Sequence, residues 1–209
     1  VDTISFDASA MTAGGVDLGA RNTTAITFIG SDAAPDSVLM INGDDVITGG
    51  EKAGVVDSLT ITKAAILGGL KVDLTKADQV LTMGGSANAA IQSGFESVDV
   101  SGYTGFGAEL IGNDEANTFI GTGSIDSITG GAGNDAITMG KTSTAVAYDA
   151  ISAGTGTDTL SIIGTLTTST TEAQNVIDLS QTGDQVTTVN NAAESTVQSG
   201  FENVDLSGL

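Results

Sequence analysis

The 209-residue chain has no cysteine, no histidine and no tryptophan, and a single proline. Without imidazole or thiolate it cannot carry a Ser/His/Asp or Cys/His nucleophilic site or an ordinary zinc site, because each needs one of those groups. Most hydrolase mechanisms are thereby excluded. Positive charge is equally scarce, with 6 basic residues against 26 acidic ones and a net charge of −20. Arg21, Lys52, Lys63, Lys71, Lys76 and Lys141 form no cluster, and so acidic a chain repels phosphate backbones and anionic lipid heads. No nucleic acid is expected as a partner. No apolar run approaches the roughly 18 residues of a membrane span, so no membrane insertion is expected. The chain opens on Val1 without a basic segment leading into an apolar one, as a mature or excised piece would.

Large rings are few, six Phe and two Tyr, which favours a thin core of Ile, Val, Leu and Ala. The length suits one or two domains. Charged residues at 15% and a mean hydropathy of +0.19 argue against disorder. What abounds is Gly, Ala, Ser, Thr and, among the acids, Asp, at 19 to 7 Glu. Helical surfaces favour Glu, whereas Asp belongs in turns and on hard cations.

Two repeats run through the chain. Residues 72–103 match residues 177–209 at an offset of 105 that becomes 106 after one inserted residue, and SGFESVDVSG differs from SGFENVDLSG at only two positions. Asp45-Val46-Ile47-Thr48 and Asp57-Ser58-Leu59-Thr60 are echoed by Asp149-Ala150-Ile151-Ser152 and Asp158-Thr159-Leu160-Ser161. The chain therefore reads as two units, 1–103 and 104–209, with no linker and expected to continue one into the other. The shorter repeat has nine residues: GNDEANTFI, GTGSIDSIT and GGAGNDAIT from Gly112, then five extra residues (MGKTS), then TAVAYDAIS and AGTGTDTLS. Asn117, Asp126, Asp135, Asp149 and Asp158 each stand two residues before Phe119, Ile128, Ile137, Ile151 and Leu160.

The third unit, Gly130-Gly131-Ala132-Gly133-Asn134-Asp135-Ala136-Ile137-Thr138, fits G-G-x-G-x-D-x-U-x throughout and resembles the RTX family of calcium-binding repeats. The resemblance covers residues 112–161 and, weakly, 40–60. It implies an all-β fold, a parallel β-roll or β-helix solenoid with calcium between turns. The six residues G-G-x-G-x-D are expected to form the turn, with inward carbonyls and φ values that Gly adopts cheaply. The last three form a short strand with its central side chain inside. Two strands per coil make 18 residues, so Asn117 with Asp135, Asp126 with Asp149 and Asp135 with Asp158 should flank sites, provided that the insertion does not change sides. Calcium takes six to eight oxygens. Its expected ligands are Asn117, Asp126, Asp135, Asp149, Asp158, the backbone of Gly130, Gly131, Ala132 and Gly133, and in the first unit Asp45 and Asp57. Ordinary turn chemistry competes with that reading, since Asp in a turn often bonds only its own backbone.

Asp73 with Asp178, Asp78 with Asp184 and Asp99 with Asp205 read as turn and surface residues, Phe95 with Phe201 as core plugs, and Glu96 with Glu202 as solvent-facing. Strands are expected at 25–29, 58–62, 80–83, 96–100, 159–163 and 203–206, and single helical turns at 87–92 and 171–176. The sequon Asn22-Thr23-Thr24 reads as a coincidence.

The resemblance also implies export and folding outside the cell. With no His, one Arg and no aromatic cluster, a non-catalytic, calcium-dependent structural protein is expected, secreted and self-assembling on the cell surface as a surface-layer, fibre or matrix subunit. Its partners would be further copies of itself and a cell-surface polysaccharide. Similar strand edges at the unit ends invite end-to-end growth. The alternative is an RTX folding and secretion module of a larger secreted hydrolase, toxin or adhesin. An ice-binding face would need one Thr rank on every coil, which the sequence lacks.

Overall fold

The computed structural model describes residues 4–13, 15–19, 25–41, 43–50, 52–62, 68–139, 149–163, 176–189, 192–193 and 196–208. Arg21, Lys63, Lys141, the sequon at 22–24, insertion residues 140–143 with 144–148 after them, and the turn expected from residue 171, up to 175, lie outside these. Among the described residues every element is a strand and no helix is long and apolar enough to cross a membrane.

The first six strands, β1 (Ile4–Asp7), β2 (Asp17–Leu18), β3 (Ile26–Ile29), β4 (Ser37–Met40), β5 (Val46–Thr48) and β6 (Ser58–Ile61), alternate between two parallel sheets. An antiparallel meander follows: β7 (Leu70–Asp73), β8 (Val80–Met83) and β9 (Ser86–Ala87). Alternation resumes with β10 (Gln92–Ser93), β11 (Ser97–Asp99), β12 (Ala108–Ile111), β13 (Thr118–Ile120), β14 (Ser127–Ala132), β15 (Ala136–Met139), β16 (Ala150–Thr155) and β17 (Thr159–Ile162). A second meander, β18 (Val176–Ile177), β19 (Val186–Val189) and β20 (Ala192–Ala193), precedes β21 (Gln198–Ser199) and β22 (Asn203–Asp205). The longer sequence repeat is thus the meander plus the two strands after it.

One eight-stranded parallel sheet runs β2-β4-β6-β11-β13-β15-β17-β22 through both halves. Opposite it lie a four-stranded sheet, β1-β3-β5-β10, and a seven-stranded one, β21-β16-β14-β12-β7-β8-β9. Short β-branched segments with one inward residue produce this arrangement, because a strand alternates faces and only one face is covered. The inward row of the long sheet is Leu18, Val38, Leu59, Val98, Phe119, Ile137, Leu160 and Val204 in register. Phe95 and Phe201 fill the core at 0% and 2% exposure. Phe119 pairs with Ile137 and Ile137 with Leu160, so steps of 18 and 23 residues are equivalent and the insertion changes neither side nor partner.

Two expectations are corrected here. Residues 87–92 form no helical turn: Gly84 and Gly85, at φ +70° and +72°, close a two-residue hairpin between β8 and β9, and Gln92 pairs with β5. The segment Gly130–Ala132 is not turn either, since β14 runs through it and Gly131 and Ala132 pair with Gly154 and Thr155.

Candidate functional site

Seven of the acids and amides that stand two residues before an inward apolar side chain are buried immediately before the start of their strands. Asp45, Asp57, Asn117, Asp126, Asp135, Asp149 and Asp158 are all 0–2% exposed. Except at Asn117, whose Oδ1 accepts within its own turn, their side chains reach sideways to a backbone N–H of the neighbouring chain crossing. Asp135 Oδ1 accepts from Asn117 N–H at 2.8 Å, and Asp158 Oδ1 from Asp135 N–H at 2.8 Å. Asp149 Oδ1 accepts from Asp126 N–H at 2.9 Å. All three pairs expected from the 18-residue rule are therefore brought together, through a carboxylate and the partner's main chain.

The other expected residues follow suit. Asp126 accepts from Ala108 N–H and Thr122 N–H at 2.6 Å each and from the Thr122 hydroxyl at 2.8 Å. Asn117 Oδ1 accepts from Asn113 N–H at 2.9 Å. Asp57 Oδ1 accepts from Asp36 N–H at 2.7 Å, and Asp45 Oδ1 from Ile26 N–H at 3.0 Å. Asp73, Asp99, Asp178 and Asp205 bond the residue two positions on, as turn residues do. Asp78 and Asp184 each accept a long bond, 3.3 Å, from the N–H of Gln92 and Gln198.

Sequence reasoning missed three members of this ladder. Glu96 Oε2 accepts from Asp57 N–H at 2.9 Å, Glu202 Oε2 from Asp158 N–H at 2.7 Å, and Asp36 Oδ1 from Val16 N–H at 2.5 Å. Glu96 is half-buried rather than solvent-facing; Glu202 is exposed yet bonded. The signal was available: Asp36-Ser37-Val38, Glu96-Ser97-Val98 and Glu202-Asn203-Val204 all set an acid two residues before an inward apolar side chain.

Glycine makes room for these oxygens. A methyl on Gly130 would lie 2.4 Å from Asp135 Oδ2 and 2.2 Å from Ala153 O, so close approach, not φ, demands glycine there. At Gly131 both apply, with φ +113° and Asn113 O 2.1 Å from the would-be methyl. A methyl on Gly121 would lie 2.5 Å from Asp126 Oδ2 and 3.4 Å from Asp149 Oδ2, which places both oxygens before one backbone. Gly133 sits under the next crossing: a methyl on Gly156 would be 1.6 Å from its carbonyl oxygen.

The electrostatics are costly. Burial pushes the carboxyls of Asp57, Asp126, Asp135 and Asp158 above their ordinary value, against the pull of the bonds from backbone N–H groups. Asp158 adds repulsion at Asp135, as Glu202 does at Asp158. Burial likewise raises Glu96 to about 7, helped by repulsion from Asp57 and Glu115. Asp135 Oδ2 and Asp158 Oδ2 are buried with no hydrogen-bond partner, an expensive state for an ionised oxygen.

These features fit a hard cation in their donor type, carboxylate and carbonyl oxygen. Among the described residues no three acidic side chains gather at one point, so backbone carbonyls such as those of Gly130, Gly131, Ala132 and Gly133 would have to complete any coordination shell. No family model matches the chain, and neither a curated protein nor a solved structure matches it.

Proposed function

We propose that this chain is a parallel β-roll solenoid that binds calcium between its turns, a non-catalytic secreted protein that folds and self-assembles on the cell surface as a layer, fibre or matrix subunit. The observation that carries the reading is the pair of unpartnered buried oxygens, Asp135 Oδ2 and Asp158 Oδ2, on stacked turns of the RTX-like nonapeptides. A divalent cation supplies the missing partner for each. Asp135 with Asp158 holds one such cation and Asp126 with Asp149 another, and the Gly130–Gly133 backbone lends carbonyl oxygens.

The energetics give the cation its role. Twenty uncompensated negative charges and a row of desolvated carboxylates oppose compaction. Each calcium bound to the native state cancels two charges and stabilises folding by mass action. At affinities typical of extracellular modules, on the order of 10⁻⁴ to 10⁻³ M, the chain stays loose where calcium is submicromolar and sets outside the cell.

Far-UV circular dichroism and calorimetry test this. Millimolar calcium is expected to convert a weak spectrum in chelator into a β spectrum, with a saturable heat of binding. An identical β spectrum in both conditions and no heat would refute it.

A further inference from the structure

Two pairs of edge strands, β1 with β2 and β18 with β22, match the two halves of a junction that the chain already contains. Inside the chain, β7 and β11 of the first unit receive β12 and β13 of the second. Leu70 faces Ala108, Val72 faces Leu110 and Val98 faces Phe119, and this junction buries Leu74 at 5%, Val98 at 0% and Val100 at 0% exposure. The counterparts of β7 and β11 at the far end are β18 and β22. Among the described residues β18 pairs only with β19, and β22 only with β17. Their apolar residues are uncovered: Leu179, counterpart of Leu74, is 36% exposed, and Leu206, counterpart of Val100, is 45% exposed.

At the near end, β1 and β2 occupy the places that β12 and β13 take in the junction. Among the described residues each has a neighbour on one side only, β3 and β4. Ile4 and Phe6 point into the core, as their register with Ile26 and Phe28 requires, yet both are 46% exposed. Their junction counterparts, Ala108 and Leu110, are 5% and 0% exposed.

We infer that a second copy of this chain docks head to tail, its β1 on β18 and its β2 on β22, in the register that β12 and β13 adopt on β7 and β11. This rests on the self-assembling reading above and names its contact. Phe6 of the incoming copy then covers Ile177, and Leu18 covers Val204, continuing the inward row of the long sheet. The contact joins unlike ends and repeats the stacking of the internal junction, so each added copy extends the same stack and builds a filament. The same register sets Asp7 against Asp178, a like-charge pair, so added salt or calcium strengthens growth.

End-blocked variants of the full chain test the polarity. Phe6→Asp blocks one end and Leu206→Asp the other, both at exposed positions. In calcium each alone is expected to remain monomeric, while an equimolar mixture doubles in mass and stops there by sedimentation. Since the chain has no cysteine, Asp17→Cys in the second variant and Asn203→Cys in the first should form a disulfide on mixing, and Asp205→Cys in place of Asn203→Cys should not. Calcium-induced circular dichroism on the same monomers reports separately on the calcium reading. Folded monomers that neither double in mass nor cross-link overturn the docking, as does cross-linking that ignores register.

Discussion

The main-chain N–H of Asp135 donates to Asp158 Oδ1 at 2.8 Å, while Oδ2 of each carboxylate is buried without a partner. One oxygen holds the neighbouring crossing in register and the other remains unsatisfied. Structural and cation-binding readings of these aspartates thus belong to different atoms of one side chain, and that separation can be tested.

Asp135→Asn and Asp158→Asn retain an oxygen to accept the backbone bond but place an amide nitrogen where Oδ2 stands. Both variants are expected to reach the same β content in saturating calcium and to lose at least about tenfold in calcium affinity, about 1.4 kcal/mol. Calorimetric titration reads the affinity, and circular dichroism confirms the fold.

In chelator, stability should fall as pH rises. A carboxyl whose native pKa lies above its unfolded value binds its proton more tightly when folded, so its contribution is full below the unfolded pKa and is lost through the folded one. For Glu96 that window runs from its ordinary 4.5 to about 7, and Asp57, Asp126, Asp135 and Asp158 act in the same direction. The β content in chelator, read by circular dichroism, is expected to be higher at pH 5 than at pH 8, and saturating calcium should shrink the difference. Unchanged β content between the two pH values in chelator contradicts the burial argument.

Glu96 separates charge from hydrogen bonding. Glu96→Gln keeps an acceptor for Asp57 N–H and removes the desolvated charge, so it should raise the β content in chelator at pH 8 and do little at pH 5. Glu96→Ala strands that N–H and should cost about 1–3 kcal/mol at either pH. Circular dichroism in chelator for the first and denaturant titration in calcium for the second give the comparison.

Two glycines make a contrasting pair. A methyl on Gly130 meets Ala153 O and Asp135 Oδ2 within 2.4 Å, whereas nothing lies within 4 Å of one on Gly123. Gly130→Ala is expected to destabilise by more than about 2 kcal/mol, as overpacking does. Gly123→Ala should be neutral, or stabilising by about 0.4–1 kcal/mol through the unfolded chain. Thermal melts in calcium distinguish them.

The strands were the most legible feature. Those expected at 58–62, 80–83, 159–163 and 203–206 fall on β6, β8, β17 and β22, because β-branched residues bounded by Gly, Ser and Asp leave few alternatives. The meanders were not legible. Gln79 in the core bonds both main-chain groups of Phe95, at 3.1 and 3.2 Å, and Gln185 does the same for Phe201, at 2.8 and 2.9 Å. Each pair lies 16 residues apart, and nothing local marks a glutamine as the partner of a buried backbone.

The sequence by itself determined the all-β class, the spacing of inward residues and the identity of the paired carboxylates, since acid-x-apolar recurring every 18 residues permits one stacking period. Only the tertiary structure decided that Gly130 is needed for space and that one oxygen of Asp135 and Asp158 is bonded while the other is not. Those outcomes depend on which backbone amide faces each side chain across a neighbouring crossing, and periodicity along the chain carries no record of that distance.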